Sequence, residues 1–327
     1  MKNKSPTYDE SVHLTAGYLA LVDKDFSFSP ENPPLIRSFA VLPLLFIDLK
    51  IPDKTKYIKQ NKFKSLPGMF EFADNFVFRS ENNADQSIFL SRLPIVFLSM
   101  VLGFFVFLWA KKLYGIKAGL FALVLYVFSP NILAHSRLVT TDLGVTSFMF
   151  IACYYFWCYL KEEKKWQYGL ATLFTSFSLM SKYSAFSLFP IFILMTGAII
   201  YEKRKYDHHF LTCNKGILQL VKKILIHALL FIIVFTGVIF VAYGLGADAL
   251  ILYKQGLTVL WKDYFGEQYI NGQPIYSYKY LFGHYYTSPK WFYPIVVFLV
   301  KTPVPIFILF VLSLGLIQLK RKDLFNE

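Results

Sequence analysis

The sequence has little cysteine and a deficit of acidic side chains. Its three cysteines among 327 residues cannot build a disulfide framework. Cys153 and Cys158 lie five residues apart in one apolar run, where a helix would point them in different directions. We therefore interpret the thiols as small buried hydrophobes. Acidic residues number 21 against 34 basic ones, which gives a net charge of +13.

This positive charge does not indicate a nucleic-acid-binding protein. Such domains carry basic residues on a polar surface, whereas 55% of this sequence is hydrophobic and its mean hydropathy is +0.44. The 35 Phe and 22 Tyr residues also exclude a disordered chain, because they supply more apolar surface than a solvated chain could expose. The composition predicts an integral membrane protein with no nucleic-acid partner.

Seven apolar segments reach or approach the roughly 20 residues needed to cross a bilayer. They are 88–110, 118–134, 142–160, 167–181, 184–200, 224–245 and 291–315. The second and fourth are short and need tilt or polar flanks to reach the membrane width. A further run, 35–49, contains Arg37 and Pro43. We expect that run to lie in the membrane interface as a helix.

The placement of lysine and arginine predicts the orientation. The connections after the first, third, fifth and seventh segments are basic, so we assign them to the cytoplasm. Residues 1–87 then form an external catalytic loop, 88–245 six membrane helices, 246–290 an external aromatic and glycine-rich loop, and 291–327 the last span with a cytoplasmic tail. Residues 1–87 contain 11 basic and 11 acidic side chains, so the lysines between 50 and 64 lie in a neutral segment.

The first polar group is Asp9-Glu10 with His13. If a helix begins here, Asp9 and His13 share one face at a spacing of four residues. Such a pair suits a general base with a neighbour that tunes it. The alternative is that both acids are first-turn residues favoured by the helix dipole.

The second polar group lies between the second and third apolar segments. His135, Arg137 and Asp142 occur within eight residues at one membrane mouth. They suit a metal or phosphate site. Alternatively, Thr141 or Asp142 caps the returning helix.

Three cations lie toward the outer side of the membrane segments: Arg92, Lys182 and Lys301. Snorkelling explains one such cation but not three. They predict convergence on an anionic lipid phosphate. The tyrosines and glycines of the loop 246–290 suit either membrane anchoring or stacking on sugars.

Taken in order, these pieces resemble the polyprenyl-phosphate-dependent glycosyltransferases of the protein O-mannosyltransferase and aminoarabinose-transferase type (glycosyltransferase family 39). The matching strings are Asp9-Glu10 with His13 and Gly17, Asn32-Pro33-Pro34-Leu35 in place of the family's His-Pro-Pro-Leu, Ser91-Arg92-Leu93-Pro94, 113–119, 128–142, Ser181-Lys182-Tyr183-Ser184, and Gly283 through Lys301 to Pro305. Each string is weak, but their order and spacing are specific.

The resemblance implies an all-α, polytopic membrane bundle of the GT-C fold in the cytoplasmic (inner) membrane. It implies transfer of a sugar, with inversion, from a polyprenyl-phosphate donor to an acceptor hydroxyl on the outer, periplasmic side. By resemblance, Asp9 is the general base and Glu10 helps to position it. Arg92 and Lys182 match donor-phosphate contacts. Asp142 matches a second acidic position.

Other features of the site are less defined by the resemblance. His135 and Lys301 would line it, and Asp142 is the candidate ligand for a possible divalent metal ion; no other cofactor is implied. The donor and membrane lipids are the expected partners, and the acceptor can be a protein, a lipid or a glycan.

The chain departs from the family at both ends. Relatives carry a membrane helix immediately before the Asp-Glu pair and further spans after the last segment, so we expect this chain to lack both. The alternative function is a multispan transporter or lipid flippase in which Arg92, Lys182 and Asp142 line a lipid-phosphate pathway. The lack of an internal repeat and the external carboxylate pair favour the enzyme.

Overall fold

The computed structural model describes residues 5–59, 63, 66–206, 214–265, 268–270, 273–275, 279–286 and 292–323. These residues are mainly helical. The helices are α1 (Glu10–Val22), α2 (Leu35–Val41), α3 (Lys54–Lys59), α4 (Leu66–Asp74), α5 (Ala84–Tyr114), α6 (Ile116–Val127), α7 (Pro130–His135), α8 (Thr141–Glu162), α9 (Lys165–Leu179), α10 (Leu188–Tyr206), α11 (Asn214–Ala242), α12 (Ala249–Phe265), α13 (Tyr293–Lys301) and α14 (Val304–Asp323).

Shorter elements complete the fold. Two 3₁₀ turns span Leu42–Phe46 and Tyr183–Ser187, and a π-helical turn spans Asn75–Arg79. Two antiparallel hairpins pair β1 (Gln268–Ile270) with β2 (Gln273–Ile275), and β3 (Lys279–Leu281) with β4 (His284–Tyr286).

Helix α1 runs through the middle of the head, by which we mean the described residues before α5. It is apolar on most faces, and such a helix is buried. On one side it packs against α4 through a cluster in which the rings of Phe28, Phe63 and Phe72 lie 5.2 to 5.6 Å apart. On another side it crosses α2 at Gly17, where an added Cβ would overlap the Arg37 carbonyl. The Gly17 of the motif thus permits a close helix crossing.

Ion pairs within the head account for part of its lysine cluster. Lys54 lies 2.6 Å from Asp23 and 3.2 Å from Asp25, which follow α1. Lys50 pairs with Glu81 on the exposed surface. The basic residues that the positive-inside rule would draw to the cytoplasm are therefore partly neutralised by acids of the same segment.

Helices α5 and α6 form an antiparallel hairpin. Gly119 lies against Lys111 near the turn, and Tyr126 donates a hydrogen bond to the Ser99 carbonyl at 2.8 Å farther along. Helix α6 has 12 residues, about 18 Å in length, which is less than the roughly 30 Å of a bilayer core. The second predicted segment is therefore shorter as a helix than we expected.

The chain after α6 nevertheless completes the return along α5. The Val139 amide donates to the Glu10 carboxylate, which also accepts hydrogen bonds from Arg92. Arg92 lies 22 residues before the end of α5 at Tyr114, a distance of about 33 Å along a helix. The stretch 116–139 thus travels nearly the whole length of α5, although helix α6 covers only part of that distance.

Helices α8 and α9 repeat this arrangement. Lys112 of α5 pairs with Glu162 at the end of α8, and Asp142 at the start of α8 pairs with Lys182 just after α9. The bundle therefore has two ends. We call the end with Arg92, Asp142 and Lys182 the site end, and the end with Lys112 and Glu162 the lysine end.

Among the described residues, four helical stretches are long and apolar enough to cross a membrane: Ala84–Tyr114, Thr141–Glu162, Tyr183–Tyr201 and Leu225–Ala242. The pair Tyr293–Lys301 and Val304–Ser313, bent by 110°, would make a fifth if it counts as one span. The all-α polytopic membrane fold is confirmed. The difference from seven predicted spans arises mainly because α6 and α9, with 12 and 15 residues, are too short to qualify alone.

The run predicted as an interfacial helix, 35–49, is helical only as far as Phe46. Ile36, Ala40 and Leu44 are buried against the rest of the protein, whereas Phe46 is 90% exposed. The run is therefore partly a packing helix of the head and partly an exposed apolar surface.

Helix α11 connects the two ends of the bundle, and α12 lies at the site end. His227 of α11 lies 2.6 Å from the Tyr159 hydroxyl near the lysine end, while Tyr243 packs in the cluster around Tyr183. Gly256 of α12 sits against the Tyr183 hydroxyl. The first part of the predicted external loop 246–290 is therefore an ordered helix.

Candidate active site

Glu10 anchors the start of α1 through a buried ion pair. Its carboxylate accepts hydrogen bonds from Arg92 Nε at 2.8 Å and from Arg92 Nη2 at 2.7 Å. It also accepts the backbone amides of Thr7 at 3.1 Å and Val139 at 3.0 Å. The pair is almost fully buried, with side-chain exposures of 1% for Arg92 and 2% for Glu10. One carboxylate thus ties together α1, α5 and the turn before α8.

This geometry bears on the expected phosphate contact of Arg92. Glu10 already occupies the Nε–Nη2 edge of the Arg92 guanidinium, and such an edge can also bind a phosphate through two hydrogen bonds. A phosphate that bound this Nε–Nη2 edge would have to displace Glu10. In this structure Arg92 holds Glu10, so its assignment to the donor phosphate stays a prediction.

Asp9 stands next to this anchor but is exposed. It occupies the N-cap position of α1, and its side chain makes no capping hydrogen bond. Within the part of the chain that the structure describes, no hydrogen-bond partner holds its carboxylate. The neighbouring Glu10 is locked while Asp9 remains accessible, which leaves Asp9 available to a substrate. Its role as general base stays a prediction.

Asp142 and Lys182 form a second, more open ion pair. The Lys182 ammonium lies 2.7 Å from Asp142 Oδ1, and the side chains are 36% and 49% exposed. The N-cap of α8 is Thr140, and no side chain makes a capping bond there. The interpretation of Thr141 or Asp142 as the cap is therefore wrong, because Asp142 lies inside the first turn and pairs across to Lys182.

His13 lies near the Asp142–Lys182 pair and Arg37. It follows Asp9 by one helical turn, and its Nδ1 is buried without a hydrogen-bond partner among the described residues. Burial lowers the pKa of its imidazole to about 3, with Arg37 and Lys182 acting in the same direction and Asp142 opposing them. His13 is thus a neutral group near three charged side chains.

Arg37 is the residue of this neighbourhood that the sequence-based site omits. Its side chain is 5% exposed and donates from Nη1 to the Ser29 carbonyl at 2.8 Å and to the Ser29 hydroxyl at 3.0 Å. Its Nη2 donates to the Asn32 carbonyl. The signal in the sequence was a single arginine within an apolar run. An arginine in such a run disfavours a membrane span but does not by itself indicate a site residue.

The remaining predicted site residues lie farther out. His135 ends α7 and is exposed, and Lys301 ends α13 and is exposed. Asn131 of the 128–142 motif donates to the backbone carbonyl of Lys301 at 2.9 Å, so the structure brings these two motifs together through backbone rather than through charge.

The described residues around Asp142 do not fit a divalent cation site. Within the described ranges, no group of three or more His, Cys, Asp or Glu side chains converges. The Lys182 ammonium already sits on Asp142 Oδ1, and its charge opposes a cation at the same carboxylate.

Part of the aromatic loop falls outside this description. Tyr276 and Tyr278 lie outside the described residues, and no side-chain position is described for Tyr269, Tyr285 or Tyr286. Tyr280 is 57% exposed. Stacking of this loop on sugars stays a prediction.

Residues 82–240 match the family model for dolichyl-phosphate-mannose-protein mannosyltransferase. The matched region is slightly less than half of the chain; it includes Arg92, Asp142 and Lys182, and it excludes Asp9 and Glu10. No curated protein and no solved structure matches the chain. The match supports the resemblance to glycosyltransferases of the GT-C type that the sequence motifs indicated.

Proposed function

We propose that this chain, a membrane glycosyltransferase of the GT-C type, moves a sugar from a polyprenyl-phosphate donor to an acceptor hydroxyl on the outer side of the cytoplasmic membrane. The observation that carries the proposal is the pairing at the site end: a locked Glu10 beside an accessible Asp9, and an accessible Lys182 held by Asp142.

Asp9 acts as the general base. A base must reach the proton that it removes, so it needs an exposed carboxylate on a rigid support. Glu10 provides the support, because its four hydrogen bonds fix the first turn of α1 to α5 and to the Val139 turn. Arg92 therefore serves the reaction mainly through Glu10.

Lys182 contacts the donor phosphate. Its ammonium is partly exposed, and a half-exposed ion pair with Asp142 contributes only about 0 to 1 kcal/mol to stability. The pair can therefore rearrange at low cost when a phosphate arrives. Asp142 keeps the ammonium at the site end in the meantime.

The reaction is a single displacement. The acceptor oxygen forms a bond to the anomeric carbon as its proton passes to the Asp9 carboxylate. The bond from the anomeric carbon to the phosphate oxygen breaks on the opposite face, which inverts the configuration. The electron pair leaves on the polyprenyl phosphate, and Lys182 stabilises that charge.

The positions of the two ends of the bundle support the proposed orientation. Lys111 and Lys112 lie at the lysine end, and the predicted cytoplasmic connections carry the excess of basic residues. The site end then faces outward, toward the periplasm if the membrane is an inner membrane. The family description names a dolichyl-phosphate mannose donor and a protein acceptor, and for this chain we propose the donor class of polyprenyl-phosphate sugars.

The test of the base is the Asp9→Asn variant. Membranes that contain the wild type should release polyprenyl phosphate from a polyprenyl-phosphate sugar in the presence of acceptor, and Asp9→Asn should lower the rate at least about 100-fold. Asp74→Asn, an exposed carboxylate of the same head, is the matched control and should be unchanged. Equal rates for wild type and Asp9→Asn would refute Asp9 as the base.

The test of orientation uses single cysteines. In a background in which Cys153, Cys158 and Cys213 are all replaced by alanine, Lys56→Cys in the head should react with a membrane-impermeant maleimide from outside the cell. Lys117→Cys, at the turn between α5 and α6, should react only after the membrane is opened. The reverse pattern would place the site end in the cytoplasm.

A further inference from the structure

Arg37 is a buried cation with an unusual set of partners. Among the described residues, no carboxylate lies within ion-pair distance of its guanidinium, and its Nε has no hydrogen-bond partner. Glu31 is connected to it through the Ser29 hydroxyl, which accepts from Arg37 and donates to the Glu31 carboxylate. Burial of a guanidinium without a paired carboxylate is costly, so a purely apolar side chain would pack here more cheaply. A buried arginine at this position therefore suggests a role other than packing.

The hydrogen bonds of Arg37 hold the turn 29–35, which lies within the head and leads into α2. Three bonds from the guanidinium hold Ser29 and Asn32, which brings both ends of this turn onto one side chain. Ser29 has φ +57, in the left-handed region that residues other than glycine rarely adopt. The guanidinium thus holds a backbone shape that the turn does not favour on its own.

This turn is in direct contact with the segment that presents Lys182. The Leu35 amide, at the end of the turn, donates to the Met180 carbonyl at 3.2 Å, two residues before Lys182. On the other side, Gly256 of α12 lies between the Pro30 carbonyl and the Tyr183 hydroxyl, with no room for a Cβ. The 29–35 turn and the 180–183 turn are therefore packed as one unit.

We propose that Arg37 is a positioning residue of the donor-phosphate site: it fixes the 29–35 turn, and through Leu35 and Met180 it fixes the turn that directs Lys182 at the phosphate. Its charge also reaches the site, since Arg37 is the strongest of the nearby charges that lower the pKa of His13. This inference rests on the proposed function, because it assumes that Lys182 meets a lipid phosphate.

The test measures lipid binding by the purified protein in nanodiscs. The probes are a short-chain polyprenyl phosphate and the uncharged polyprenol of the same length. Arg37→Gln removes both the charge and the planar guanidinium. Arg37→Lys keeps the charge, but an ammonium group cannot reproduce the three hydrogen bonds that the guanidinium donates to Ser29 and Asn32. Both variants should weaken polyprenyl-phosphate binding about tenfold and leave polyprenol binding unchanged. Arg79→Gln removes an exposed arginine from the same head and is the matched control.

The outcomes separate the two proposals. If the wild type binds polyprenyl phosphate no better than polyprenol, the phosphate site itself is wrong. If the wild type prefers the phosphate and Arg37→Lys binds it as well as the wild type does, positive charge suffices and the positioning role is refuted. Unchanged binding by Arg37→Gln refutes it too.

A milder variant covers the case in which both Arg37 substitutions fail to fold. Ser29→Ala removes one of the three acceptors. It should weaken phosphate binding about threefold without affecting polyprenol. Binding equal to that of the wild type would overturn the role of this turn.

Discussion

The buried pair of Glu10 and Arg92 allows a quantitative prediction. Glu10→Gln keeps the shape of the side chain but removes its charge and places a donor against Arg92 or a backbone amide. Removal of one partner from a buried ion pair costs about 3 to 5 kcal/mol, because the other charge stays buried and unpaired. Gln retains one carbonyl oxygen for the amide of Val139 or Thr7, so we expect the low end, about 3 kcal/mol.

The assay is unfolding of the purified protein in mixed detergent micelles with increasing SDS, followed by circular dichroism. The control is Glu81→Gln, whose side chain is 77% exposed in its pair with Lys50. This substitution should leave the free energy of unfolding nearly unchanged, because water screens an exposed ion pair. A double-mutant cycle with Arg92→Met should give a coupling energy of about 2 kcal/mol. If Glu10→Gln destabilised the protein no more than Glu81→Gln, the anchor that supports Asp9 would not exist.

Three further predictions concern the same region. Gly17→Ala should lower the free energy of unfolding by about 1 to 3 kcal/mol, because its Cβ would overlap the Arg37 carbonyl, whereas Gly197→Ala, with open space around it, should be neutral or slightly stabilising in the same assay. Lys182→Met should change stability by less than about 1 kcal/mol yet reduce polyprenyl-phosphate release at least about tenfold; an unaffected rate would remove Lys182 from the site. His13 has a lowered pKa in the folded protein, so its imidazole binds a proton below about pH 6.5 in the unfolded chain but only below about pH 3 in the folded chain. The free energy of unfolding should therefore fall as the pH decreases between these values, by at most about 1.4 kcal/mol per pH unit. The Tm of His13→Gln should depend less on pH between 7.5 and 5 than that of the wild type, and equal dependence would contradict the buried, neutral imidazole.

Much of the membrane architecture could be predicted from the sequence. The runs that became α5, α8, α10 and α11 are continuous and apolar, and length alone decides whether such a run crosses a bilayer. The ends of α6 and α9 were harder to predict, because the hydropathy of the sequence continues past the last residue of each helix. Their return along α5 and α8 becomes visible only in pairs of residues far apart in sequence, such as Asp142 with Lys182.

The candidate site divides in the same way. Asp9, Glu10, Arg92, Asp142 and Lys182 were all singled out from the sequence, because charged groups near membrane depth are expensive and are retained for a reason. Their pairing was not predictable. A sequence pattern shows that acids and bases are present, but only the packing of α1 against α5 decides which carboxylate is neutralised.

Composition, apolar run length and lysine placement by themselves determined the class of protein, most of its membrane segments and an expected orientation. Those properties depend on the transfer of each segment between water and lipid, which is a local quantity. The tertiary structure decided that Glu10 is locked while Asp9 is accessible, and that Arg37 joins the site. These outcomes depend on contacts between α1, α2, α5 and the turns before α8 and after α9, which no single segment encodes.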